Sequence, residues 1–344
     1  MKTCPFQVGV NLGGWISQYP VFDNDHFRSF ITEADINQIA DWGIDHIRLP
    51  VDYPLLESDS QPFTYRDQGF AYIDRCLEWC RRRGLGVVLD LHRAPGFSFT
   101  AFSESTLFQS LAQQDRFVAL WEEITRHYED SSANLAFELL NEIVLPSSSP
   151  WNSLARRAIA AIRSIDSRRV IIVGGNRYNA ASELANLSLP DDPRLLYTFH
   201  FYEPMVFTHQ KARWVQYLVD YGQRVEYPGT CPDLEEFLAY HPDLKPLLGD
   251  LVGRELNQEI LRQALQPAVS FSQKNFQALY CGEYGAIEHA PLESRLRWHR
   301  DFTDLLRQHG IGRAVWSYKQ MGFGLVDKTG KVISPELVKI ISKR

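Results

Sequence analysis

The sequence predicts an α/β protein, a (β/α)8 TIM barrel with a long insertion after strand 6. Three observations carry the prediction. Short apolar runs alternate with helix-period segments, the signature of a parallel sheet covered by helices. There are eight such runs, at 7–10, 46–49, 86–91, 135–140, 170–173, 195–199, 278–281 and 314–317. The 344-residue length suits one barrel with insertions. The expected organisation is a single catalytic domain over 1–344.

The connecting segments have helix punctuation. The first helix is expected over 33–42, with Thr32 as N-cap and Asp35 three residues on, approximating a capping box. Ile36, Ile39 and Ala40 make its inward face, and Gly43 stops it. The second ends in Arg81, Arg82 and Arg83 before Gly84, cations suited to the negative end of a helix dipole. The segment 205–275 is too long for one loop and helix. It is read as an elaborated sixth βα connection within the domain. It holds Trp214, Tyr217, Tyr221, Tyr227, Phe237 and Tyr240, residue types that either pack or stack on sugar rings.

Composition narrows the function. At 44% hydrophobic and 23% charged residues the chain is an ordinary globular enzyme candidate, needing no disulfide or metal for its core. A net charge of −6 offers no basic face for nucleic acid or for an anionic membrane. No run of about 18 apolar residues suggests a membrane span. The start, MKTCPFQVGVNLGGW, has no apolar leader, so a cytoplasmic location is the expectation. Cys4, Cys76, Cys80, Cys231 and Cys281 form no CxxC pair and read as buried free thiols, which fits a reducing compartment.

Barrel enzymes carry their chemistry at the C-terminal ends of the strands. Those ends supply Arg48 (HIRLPV), His92 (VVLDLHRAPG), Asn141 and Glu142 (FELLNEI), His200 and Tyr202 (TFHFYEP), Glu283 (LYCGEYG) and Trp316 (VWSY). Each alone is weak. Together, apolar strands running into charged residues are hard to explain by folding, because unpaired buried charge is costly. Two carboxylates facing across a pocket suggest glycoside hydrolysis, one protonating the leaving oxygen and the other attacking or activating water. An arginine beside one would hold it ionised, while a less compensated one would keep a raised pKa. Spacing does not say which glutamate has which neighbour.

The motifs GVNLGGW at 9–15, FITEADINQIADWGIDHIRLP at 30–50 and VWSY at 315–318 resemble glycoside hydrolase family 5, the cellulase-like retaining glycosidases. The opening is similar to exo-β-glucanases of that family, and the resemblance covers nearly the whole chain. It implies that Glu142 is the acid/base and Glu283 the nucleophile. It further implies that Asn141 binds the 2-hydroxyl of the reacting sugar and that Arg48 and Tyr202 contact the nucleophile. His200 would sit near the acid/base, His92 would bind sugar hydroxyls and Trp316 would be the sugar platform. The family's Asn-Glu-Pro is here Asn141-Glu142-Ile143, a departure in loop shape rather than chemistry.

The expected function is therefore a retaining β-glycosidase on β-linked gluco- or manno-oligosaccharides, exo-acting on short imported chains, without cofactor or metal. An endo-β-1,4-glucanase or mannanase of the same family is the alternative. A metal-dependent barrel hydrolase using His92 and His200 lacks an HxH or HExxH motif. A non-catalytic carbohydrate-binding relic would be expected to have lost one acid. The 205–275 segment is expected to wall off one end of the cleft. The sequence does not choose the linkage or the oligomeric state.

Overall fold

The computed structural model describes residues 3–100, 105–131 and 134–344. Its strands, in chain order, are β1 (Val8–Asn11), β2 (His46–Asp52), β3 (Glu57–Ser58), β4 (Gln61–Tyr65), β5 (Gly86–Arg93), β6 (Leu135–Glu138), β7 (Val170–Gly174), β8 (Leu195–Phe201), β9 (Leu279–Tyr284) and β10 (Gly312–Val315). Eight of them close into a barrel in the order β1-β10-β9-β8-β7-β6-β5-β2, with parallel neighbours throughout. These are the eight expected strands. The expected 314–317 strand runs earlier, and the expected 46–49, 195–199 and 278–281 strands run longer. The antiparallel hairpin β3–β4 was not anticipated, because Gln61, Pro62 and Phe63 are exposed and show no apolar run.

Period-two alternation builds the barrel. In β2, Ile47, Leu49 and Val51 join the large core cluster that includes the surrounding helices. The inward set differs from bottom to top. Its lower layer is apolar, with Phe6, Val88, Ala136, Ile172, Leu196, Tyr280 and Ala314 in contact. One polar pair is threaded through it, as His46 bonds Tyr280 at 2.9 Å and Asp45 at 2.6 Å. Higher up, the inward residues are Arg48, Asp90, Glu138 and Thr198, all fully buried.

Gly9 is required where β1 passes His46, since a Cβ there would lie 2.2 Å from the ring. Gly9→Ala is expected to displace His46 from Tyr280 and Asp45 and to destabilise the fold by about 1–3 kcal/mol, as overpacking does. Urea denaturation measures this, and an unchanged midpoint would refute it.

The helices follow their punctuation. The expected first helix spans Glu33–Asp41, preceded by a short unanticipated helix at Asn24–Ser29, and Thr32 donates its backbone N–H and its hydroxyl to Asp35, each at 2.8 Å. Gly43 and Gly84 take the left-handed backbone at the two helix ends, with φ of +81° and +68°. Arg81 and Arg82, at the end of the helix Asp67–Arg82, pair with Glu78. All five cysteines are buried free thiols. Among the described residues no helix is long and apolar enough to cross a membrane.

After β8 come short helices at Met205–Thr208, Gln216–Tyr221, Leu234–Tyr240 and Lys245–Leu248, then the long helix Gln258–Asn275 that leads to β9. The stretch before the long helix is stitched to the helix Leu292–Gln308. The Tyr227 hydroxyl donates to Asp301 at 2.9 Å, Arg297 donates to the Tyr227 carbonyl at 2.8 Å, and Ser294 donates to Glu226 at 2.5 Å.

Candidate active site

The site is built around Arg48. Sitting within β2 rather than after it, it points into the barrel with no solvent exposure. Its guanidinium grips Glu138 with two bonds of 2.7 and 2.9 Å, lies 3.0 Å from Asp90, and donates to Glu283 at 2.7 Å. It also donates to the side-chain oxygens of Asn11 and Asn141, each at 3.0 Å. Burial opposes its charge, but Asp90, Glu138 and Glu283 more than offset that and raise its pKa well above the ordinary value. One cation thus serves three carboxylates. The strain of that imbalance shows at Asp90, whose carboxyl burial pushes up to about 7 against the pull of Arg48, favouring its protonated form.

Glu283, in β9, has donors on both oxygens. Arg48 takes Oε1, and the Tyr202 hydroxyl donates to Oε2 at 2.9 Å. A carboxylate is an acceptor-only group, so this setting suits its charged form. Burial and the nearby Glu283 keep Tyr202 protonated, with a pKa well above the ordinary range.

Glu142 lies four residues past β6, with a positive φ of 38°. Its Oε1 meets His200 Nδ1 at 2.8 Å. Among the described residues no arginine pairs with it, and burial pushes its pKa up to about 7, with His92 and Arg48 opposing. His200 is kept neutral, burial lowering its pKa to about 4. One oxygen each of Glu142 and Glu283, together with His200 Nδ1, lie within 4.8 Å of one another. Three such atoms could hold a metal by distance, but His200 Nδ1 is already engaged with Glu142.

Above the two glutamates is a cleft of about 400 Å³ lined by His92, Asn141, Glu142, Tyr202, Glu283 and Trp316. All eight residues singled out in the sequence therefore meet in one place, six on the cleft wall and Arg48 and His200 behind it. Trp316 stacks on His92 at 5.8 Å with planes 4° apart. Gly13, in the GVNLGGW motif, makes room for it, since a Cβ would come 2.7 Å from the indole. His92 Nδ1 is held by Asp90 at 2.6 Å, leaving Nε2 with no partner among the described residues. Asn141 Nδ2 likewise has no partner among the described residues, while its oxygen is held by Arg48. Both are groups that a sugar hydroxyl can satisfy.

The segment after β8 contributes His209 and Trp214 to the cleft. Of the six aromatics expected to choose between packing and stacking, Trp214 alone lines it. Tyr221 and Tyr227 are core residues, Tyr217 and Phe237 pack against that core, and Tyr240 is exposed.

Sequence reasoning missed Asn11, Asp90, Glu138 and Asn179. Asn11 ties β1 to β10 and, across it, to β9 by donating to the carbonyls of Ala314, Val315 and Gly282. The available signal was alternation. Asp90 lies two residues before His92, so both face inward, and a carboxylate amid an apolar run needs a buried cation.

The sequence pattern of the cellulase family, glycosyl hydrolase family 5, matches residues 6–322. Endoglucanase C of Acetivibrio thermocellus is 49% identical over 339 residues, covering 98% of each chain. Cellodextrinase A of Ruminococcus flavefaciens is 37% identical over 307 residues, 89% of this chain and 83% of that one. Among solved structures, endoglucanase Cel5A of Thermotoga maritima superposes with a TM-score of 0.79 at 27% identity, covering 98% of this chain and 97% of that one. A barrel shared with that enzyme, and relatives matched almost end to end, mean that the chain belongs to glycosyl hydrolase family 5, the cellulase family of retaining glycosidases.

Proposed function

We propose that the protein is an endo-acting β-1,4-glucanase in which Glu283 is the nucleophile and Glu142 the acid/base. The observation that carries the assignment is the asymmetry of the pair. Glu283 is clamped by Arg48 and Tyr202, whereas Glu142 is buried with a neutral imidazole beside it, and burial pushes its carboxyl up to about 7. Glu283 attacks the anomeric carbon while Glu142 gives its proton to the departing oxygen. Glu142, now a carboxylate, then draws a proton from the water that releases the sugar. The closeness of the two carboxylates, within 4.8 Å, supports this course, because an inverting enzyme needs a gap of about 6.5–9.5 Å. In this reading Asn141 Nδ2 binds the 2-hydroxyl, His92 Nε2 a further hydroxyl and Trp316 the sugar face, which the two open nitrogens and the place of all three on the cleft wall support.

Endo action is favoured over the exo action suggested by the opening motif because the relative at 49% identity is named an endoglucanase. Soluble carboxymethylcellulose and reducing-end-labelled cellohexaose test this, with mannan and manno-oligosaccharides run in parallel. Viscosity should fall before reducing ends accumulate, and cellohexaose should yield fragments of mixed size at the earliest times. Release of one unit at a time from the non-reducing end would return the reading to an exo-glycosidase whose cleft is closed by the segment after β8.

The pH dependence follows from Glu142. Burial raises its pKa, so the protonated acid persists up to about pH 7 and is lost above it. For unactivated oligosaccharides, kcat/KM is expected to fall about tenfold per pH unit well above pH 7. A rate still flat at pH 9 would contradict the assignment.

A further inference from the structure

Asn179 lies in the turn that follows β7, and its buried side chain meets His200 on the ring nitrogen opposite the one that meets Glu142. The distance from Asn179 Nδ2 to His200 Nε2 is 3.3 Å. An amide NH2 can only donate, so Nε2 accepts. A neutral imidazole whose Nε2 accepts carries its proton on Nδ1. That Nδ1–H faces Glu142 Oε1 at 2.8 Å and Glu283 Oε2 at 3.7 Å. The amide is packed tightly against β7, its Oδ1 and Nδ2 lying 2.3 and 2.7 Å from where a Cβ on Gly174 would be. Its Oδ1 has no hydrogen-bond partner among the described residues, so the bond to His200 is the one that anchors the amide.

The turn is built to hold the side chain there. Arg177, Tyr178 and Asn179 have φ of +50°, +59° and +55°, a region that L residues enter at a cost. The turn is pinned to the loop that carries Glu142. Asn176 bonds both the N–H and the carbonyl of Leu145 at 2.8 Å, and Tyr178 donates its N–H to the Ile143 carbonyl at 3.0 Å. Ala180 then bridges to His200 in β8. One turn thus fixes the geometry between the acid/base loop and the histidine beside it.

We propose that Asn179 is a positioning residue for the acid/base, locking His200 in its Nδ1–H tautomer so that Glu142 Oε1 is occupied by a donor and the catalytic proton is kept on Oε2. In the reverse tautomer, Nδ1 would accept, and Glu142 would spend its proton on the imidazole instead of on the leaving group. The proposal rests on Glu142 being the acid. Besides Glu142 and Glu283, the charged and titratable groups acting on His200 are Arg48, Glu138 and His92.

The test is nitrogen-15 NMR of the full chain labelled at histidine, with the His200 signals assigned by comparison with His200→Gln. The wild type should show a protonated Nδ1 and an unprotonated Nε2 at pH 6–7. Asn179→Asp is nearly the same size, but its carboxylate accepts, so Nε2 should become protonated. Its kcat/KM on cellotetraose should fall about ten- to a hundredfold. On dinitrophenyl β-cellobioside, whose leaving group needs little protonation, the loss should stay below about threefold. A protonated Nε2 in the wild type overturns the proposal, as do equal losses on both substrates. The tautomer is read without substrate, so a wrong choice of polysaccharide leaves this test intact and a failure of the glucanase reading is seen separately.

Discussion

Glu283→Ala is expected to abolish turnover of every glycoside, activated or not, with kcat lowered on the order of 10⁴-fold or more. No leaving group can compensate, because the covalent bond to the anomeric carbon cannot form. The variant should still fold. Arg48 keeps its two bonds to Glu138 and its contact with Asp90, so the buried cation is not left alone. The measurement is single-turnover release of dinitrophenol alongside a thermal melt. Residual turnover above about one per cent in a folded variant would remove Glu283 from the nucleophile's role.

Glu142→Ala should fail selectively. For cello-oligosaccharides, whose departing oxygen needs a proton, the loss should be about 10²- to 10⁴-fold. For an aryl glycoside with a good leaving group, the first step should be nearly intact and the second step slow, since water has lost its base. Azide needs no base and should restore turnover, giving a β-glycosyl azide. Equal losses on all substrates with no azide product would reverse or void the assignment. The contrast between the two variants is the sharpest check on the asymmetry of the site, because both side chains line one cleft and differ mainly in what holds them.

Much of this site was legible because strand-end chemistry interrupts apolar sequence. Glu283 follows Leu279, Tyr280 and Cys281, and His200 follows Phe199, so the breaks are visible. The same criterion ended several strands too early. Asp52, Arg93 and Tyr284 lie inside strands, because ladder hydrogen bonds continue past the first polar side chain. Asp90 and Glu138 escaped notice for the opposite reason, being embedded among apolar neighbours. Their role appears only when closure of the barrel brings β2, β5 and β6 side by side and Arg48 meets both. Asn179 was beyond reach, since its contact with His200 depends on three successive left-handed residues that no local pattern announced. The aromatics of the segment after β8 were legible as a group but not individually, because packing and stacking call for the same residue types.

The stitching of that segment to the helix Leu292–Gln308 bears on how the enzyme can be re-engineered. Substituting a short loop for 209–257 would remove the fully buried Tyr227 ring from its place against Phe207, and loss of a large buried aromatic costs about 3–5 kcal/mol. It would also leave Asp301 and Ser294 without their bonds to Tyr227 and Glu226, and Arg297 Nε without the Tyr227 carbonyl it donates to. A graft that reshapes the cleft should therefore exchange the segment and the facing side of that helix as one unit. Point changes at His209 or Trp214, which line the cleft and take no part in these bonds to the helix, are the cheaper route to altered specificity.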